Sequence, residues 1–131
     1  MSYTLDYFVT NLECPVCGVI SHDDGSTNMA TKIRGNPQLE YIGIGKKFQI
    51  DFNNLKKAMN ESGYTTIRLP QPAEDIKILQ TWECPSRDEP FNWAEIVISD
   101  GIVKSISAIQ LNLEKVEQSN FVMSDDMIYI L

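Results

Sequence analysis

The 131-residue chain reads as an α+β fold, mainly antiparallel sheet with one main helix and a short C-terminal helix. Three observations predict it. Apolar residues alternate on both sides of Ser99-Asp100-Gly101, the pattern of a half-buried hairpin. Only residues 52–62 carry a sustained helical stripe, from Phe52, Leu55, Ala58 and Met59. Pro70-Gln71-Pro72 interrupts regular structure once, as the boundary between two layers of one domain spanning 1–131.

Taken in order, Tyr3 to Val9 alternates, with Tyr3, Leu5, Tyr7 and Val9 on the predicted inner face and Thr4 and Asp6 outside. Residues 18–26 read as loop. Asn28–Ile33 is a second predicted strand, and Leu39–Ile44 an extended segment broken by Gly43 and Gly45. Asp51 is placed to cap the main helix, and Gly63 suits the left-handed position after its end. Tyr64–Leu69 and Ile76–Trp82 are strands. In the hairpin, a three-residue Ser99-Asp100-Gly101 loop pairs Ile98 with Ile102 and gathers Ala94, Ile96, Ile98, Ile102 and Ile106 on one face. A two-residue loop pairs Ile98 with Val103 and scatters them, so the longer loop is expected. Asn112 caps a short helix over 113–119, and Met127–Leu131 is a last apolar segment.

The length suffices to bury a core, and 43% apolar with 22% charged residues is an ordinary globular composition. No run approaches the roughly 20 apolar residues of a membrane span. No basic segment followed by an apolar run opens the sequence, and the cysteines number three. Both features point to a reducing cytoplasm with free or metal-bound thiols. Net charge is −7, concentrated between Glu74 and Asp100, where seven acids face Lys77 and Arg87. Such a field disfavours nucleic acid and anionic membranes and favours cationic protein surfaces. It is equally the charge of a protein kept soluble by its surface.

Cys14-Pro15-Val16-Cys17-Gly18 has the form of a zinc knuckle, a tight turn presenting two thiolates to one metal. Glu83-Cys84-Pro85-Ser86 echoes Glu13-Cys14-Pro15-Val16, with Arg87 where a fourth sulfur would stand. His22, the single histidine, completes a Cys14, Cys17, His22, Cys84 donor set for a structural zinc with no position left for substrate. The alternative is a relic knuckle whose cysteines serve as small buried hydrophobes.

Glutaredoxins resemble the Cys-Pro-x-Cys turn, but their chemistry needs a helix N-terminus behind it, and Gly18 to Gly25 predicts none. One histidine and no Gly-x-Ser-x-Gly argue against a nucleophilic triad, so no catalytic residue is assigned. Trp82 and Trp93 flank an acidic loop. They are core residues or, if exposed, anchors beside Asp88, Glu89 and Glu95 for a basic partner.

The small acidic chain, its knuckle followed by Ser26-Thr27-Asn28-Met29 and a sheet carrying Asn92-Trp93-Ala94-Glu95-Ile96 resemble the immunity proteins encoded beside contact-dependent and Rhs-type bacterial toxins. The resemblance is one of size, charge and style, and it assigns no role to any position. It implies a non-enzymatic inhibitor that binds a basic cognate toxin domain and blocks its active site. Residues 82–95 are then the expected contact surface.

Overall fold

Three long strands dominate the architecture, because their apolar residues recur every second position and face one another across the ladder. A computed structural model describes residues 6–22, 27, 29–31, 33, 40–47, 50, 53–61, 63–71, 73–84 and 92–123. The elements, in chain order, are β1 (Asp6–Phe8), β2 (Met29–Thr31), β3 (Tyr41–Ile42), α1 (Leu55–Glu61), β4 (Tyr64–Thr66), β5 (Ile76–Trp82), β6 (Asn92–Ser99), β7 (Ile102–Ile109), α2 (Leu113–Gln118) and β8 (Phe121–Met123). The fold is α+β and mostly sheet, as the sequence predicts. β4-β8-β5-β6-β7 form one sheet and β2-β1-β3 a second. Both sheets are mixed: β1 runs parallel to β3, and β5 parallel to β8.

Along β5 and β6 the antiparallel register sets Ile76 against Ile98, Ile78 against Ile96 and Trp82 against Asn92. The apolar members of these pairs are buried and share one core with Phe8, Met29 and Ile42 of the smaller sheet and with Leu55 and Met59 of α1. The opposite face of the large sheet buries Leu79, Trp93 and Val122 against Val116 of α2. The two sheets also meet through a polar bridge. The Gln80 amide donates to the Ala30 carbonyl at 2.9 Å, and the Tyr64 hydroxyl reaches both Ala30 and Gln80. Burial pushes the Tyr64 phenol well above its usual range. It stays a neutral donor.

The hairpin corrects the predicted turn. Ser99 pairs with Ile102 and Ile98 with Val103, so the loop is the two-residue Asp100-Gly101, both left-handed (φ 53° and 75°). Both central residues at positive φ is the type I′ arrangement, which matches strand twist. A register shift after Val97 leaves Lys104 unpaired and restores Ile96 opposite Ile106. The bulge therefore does what the longer loop was expected to do. Val103 takes the buried place assigned to Ile102, which is 38% exposed.

β1 corrects a phase. Asp6 and Phe8 are buried and Tyr7 is half-buried, the reverse of the predicted faces. Val9, just beyond the strand, is buried as predicted, and Tyr3, Thr4 and Leu5 lie outside the described residues. The Asp6 carboxylate accepts the Glu40 N–H at 2.9 Å, so a buried acid is tolerated. Tyr7 instead packs edge-to-face on Tyr41.

The 70–72 segment joins two strands of the same sheet, β4 and β5, rather than two layers. β8, absent from the sequence reading, lies between them. Asn120 fixes it there: its side chain accepts from the Lys77 N–H and donates to the Arg68 carbonyl, at 2.9 and 2.8 Å. Its backbone bonds both neighbours as well.

Leu55, Ala58 and Met59 form the buried stripe of α1, and Gly63 is left-handed beyond its end (φ 92°). The expected cap Asp51, the stripe residue Phe52 and the 127–131 segment lie outside the described residues. Asn112 caps α2 as predicted, accepting the Lys115 N–H.

Candidate metal centre

The knuckle is a short antiparallel hairpin. The Cys14 N–H donates to the Val19 carbonyl and the Gly18 N–H to the Cys14 carbonyl, both at 2.9 Å. Gly18 is left-handed (φ 78°), a conformation that glycine adopts without penalty. Below the turn Glu13 bridges Ile20, and the Ser21 N–H donates to the Leu12 carbonyl at 2.8 Å. The Ser21 hydroxyl, itself buried, accepts the Leu12 N–H and donates to the Thr10 carbonyl. Residues 19–21 are thus a return arm, where the sequence suggested irregular loop.

The second arm of the site comes from the large sheet. β5 ends at Trp82, the Glu83 N–H donates to the Thr27 carbonyl, and Cys84 follows at the edge of the shared core. The Sγ atoms of Cys14, Cys17 and Cys84 all lie within 4.8 Å of one another, and those of Cys17 and Cys84 are 3.4 Å apart. Thiolates about 2.3 Å from a tetrahedral zinc sit about 3.8 Å from each other. Little movement separates this trio from a metal-bound one.

The electrostatics favour thiolate. The Cys17 N–H is the largest influence on Cys14, and with the Val16 N–H and the neighbouring thiols it holds Cys14 at about 6 despite the opposing effect of burial. The Asn92 side-chain amide also points at the Cys14 Sγ, at 3.6 Å. Such donors behind a sulfur are what a metal thiolate requires. Asn92 escaped the sequence reading, because only the β5–β6 register brings it opposite Trp82 and beside the knuckle.

His22 is not a member of the cluster. The reason is the return arm. With Cys14 opposite Val19 and Leu12 opposite Ser21, His22 continues toward Asn11, three residues and about 10 Å along the strand from Cys14. Among the described residues no fourth His, Cys, Asp or Glu joins the three sulfurs. Without His22, these donors fill three of the four tetrahedral positions of a zinc ion.

The remaining predicted positions separate. Trp82 and Trp93 are buried, at 1% and 9% exposure, with the Trp82 indole donating to the Trp93 carbonyl. They pack the two faces of the sheet and do not offer surface anchors. Glu95 is partly exposed and 4.0 Å from the Lys115 ammonium. Asp88, Glu89 and Arg87 lie outside the described residues. A surface depression lined by Asn53, Lys56, Lys57, Asn60 and Glu61 belongs to α1 and its approach, and holds neither His22 nor a thiol. Among the described residues no helix is long and apolar enough to cross a membrane. No family model matches the chain, and no similar chain is found among curated proteins or solved structures.

Proposed function

We propose that this chain is a non-enzymatic binding protein whose knuckle is locked to its sheet by a zinc ion on Cys14, Cys17 and Cys84, with the fourth tetrahedral position left to a donor other than these three. The convergence of three sulfurs from two distant segments carries the reading. Buried hydrophobic cysteines have no need to meet, and two of these flank a turn whose N–H groups stabilise thiolate. Zinc suits them because it accepts thiolate donors without redox change. Bound there, it would tie residues 14–17 to residue 84, closing a long loop that the short ladders of the smaller sheet hold weakly. Protein purified under reducing conditions should carry one zinc per chain, lose it on Cys84→Ser and keep it on His22→Ala. A chain that takes up neither zinc nor cobalt(II) removes the proposal.

For the partner, we propose a cationic toxin domain that the chain neutralises as an immunity protein. Charge supports this, at −7 overall. So does the knuckle surface, where Val16 and Ile20 are 67% and 60% exposed and Val19 lies beside them. Exposed Glu13 and Glu83 each adjoin a clustered cysteine. An apolar centre with a charged rim is the anatomy of a protein interface. The contact surface proposed here is thus the knuckle, in place of the two buried tryptophans. Glu13→Lys with Glu83→Lys should slow association with the toxin domain encoded beside this chain, most at low salt. Unchanged association kinetics would remove the knuckle from the interface.

A further inference from the structure

We propose that Cys17 and Cys84 form an oxidation site, joining as a disulfide under peroxide while Cys14 remains a thiol. Two observations on the cysteines carry it. Cys17 is exposed at the knuckle tip, whereas Cys14 and Cys84 are buried, so an oxidant in solution meets Cys17 first. The sulfur of Cys84 stands 3.4 Å away, in hydrogen-bonding contact, ready to resolve what forms there.

The chemistry balances with a hydroperoxide as the two-electron oxidant. The Cys17 thiolate attacks one peroxide oxygen, the O–O bond breaks, and hydroxide leaves to be protonated, giving a sulfenic acid on Cys17. The Cys84 thiolate then attacks the Cys17 sulfur. The S–O bond breaks, the S–S bond forms, and the second oxygen leaves as water. Two thiols and one hydrogen peroxide become one disulfide and two waters.

Cys14 is the residue left over because it is buried, away from the oxidant, and Asn92 donates to its sulfur. The product spans 67 positions of the chain, so it ties the knuckle to the end of β5, the same two segments a metal would tie. Oxidation thus exchanges one clasp for another. The disulfide itself does not depend on zinc; the release of metal rests on the zinc reading above, because two of its three donors are consumed.

The test uses the full chain, first stripped of metal with a chelator and then loaded with zinc. With one equivalent of hydrogen peroxide, the free-thiol count of the metal-free chain should fall from three to one. Peptide mapping without reductant should find Cys17 linked to Cys84 and Cys14 alkylated. Cys14→Ser should still form the link, and Cys84→Ser should stop at sulfenic or sulfinic Cys17. A Cys14–Cys17 bridge, or over-oxidised Cys17 in the unaltered chain, overturns the proposal. In the loaded chain a chromogenic chelator should register one zinc released per disulfide. A chain that forms the bridge but never held zinc keeps this inference and discards the metal.

Discussion

The hairpin of β6 and β7 and the cysteine knuckle are both antiparallel turns built around a left-handed glycine, yet different forces hold them. β6 pairs with neighbours on both sides over most of its length, and Ala94, Ile96 and Ile98 are all but fully buried. The knuckle has a single bridge below its turn, and Val16, Val19 and Ile20 face outward. Burial of an isoleucine contributes roughly 1.5–3 kcal/mol, so β6 needs no further support. The knuckle sends only Leu12 and Cys14 into the shared core, so it has little burial to draw on. Its order comes from Ser21 hydrogen bonds and from sulfurs that gather toward Cys84. One region is stabilised by packing, the other by point attachments, and the two should respond to different perturbations.

The largest effect should come from the packed region. Trp82 fills the core beneath both sheets and donates to the Trp93 carbonyl. Trp82→Ala should cost about 3–5 kcal/mol in urea denaturation, with or without zinc. A loss below about 1 kcal/mol would mean that the sheet is not where the stability lies.

Next is metal removal. Zinc held at a hundred times its dissociation constant stabilises by about 2.7 kcal/mol, so a chelator should lower the melting temperature of the native chain but not of Cys84→Ser. The metal-free chain adds a pH signature. Cys14 ionises at about 6 when folded, against an ordinary value of 9.0. A depressed pKa contributes stability that is full above the unfolded value and disappears as pH falls through the folded one. The contribution of Cys14 should therefore fade between about pH 9 and pH 6, and thiolate absorbance rising near pH 6 should vanish in Cys14→Ser. A first thiol titrating only above pH 8 would remove the N–H cradle as its cause.

A third perturbation probes the seam where β8 enters the large sheet. Asn120 is buried with its side chain bonded to Lys77 and Arg68. Asn120→Ala leaves those backbone groups unpaired and should cost roughly 1–3 kcal/mol. Amide exchange should accelerate in β4 and β8 more than in β6. Equal acceleration in all three strands would make the sheet one indivisible unit.

The same division decides what the sequence could tell. β5, β6 and β7 were legible because long alternation declares both the strand and its buried face. The turn is not legible in the same way, because the facing pattern constrains only the sum of loop and bulge: Lys104 absorbs the residue that the loop does not. Within β1 the alternation points to the wrong phase, since Asp6 looks like an outward residue until Glu40 supplies its hydrogen bond. β8 is three residues long, too short to show a period, and its position is set by Asn120. In the site, the Glu-Cys-Pro echo made Cys84 legible across a long separation. His22 misled because spacing counts residues along the chain, whereas the return arm carries each one farther from the sulfurs.

The smallest perturbation separates the two regions most sharply. Gly18 is left-handed and nothing lies within 4 Å of where a Cβ would stand, so Gly18→Ala meets a conformational cost alone. That cost is about 1 kcal/mol, or roughly a fivefold change in an equilibrium. If the knuckle folds as a point-attached unit, the cost should fall on metal binding, weakening zinc roughly fivefold by competition with a chelator. The urea midpoint of the metal-free chain should stay unchanged, because β5 to β7 do not depend on the turn. Gly18→Asn should recover part of the affinity, since asparagine tolerates left-handed backbone better than alanine. A midpoint that falls in the metal-free chain by the same free energy would show the knuckle folding with the sheet as one cooperative body.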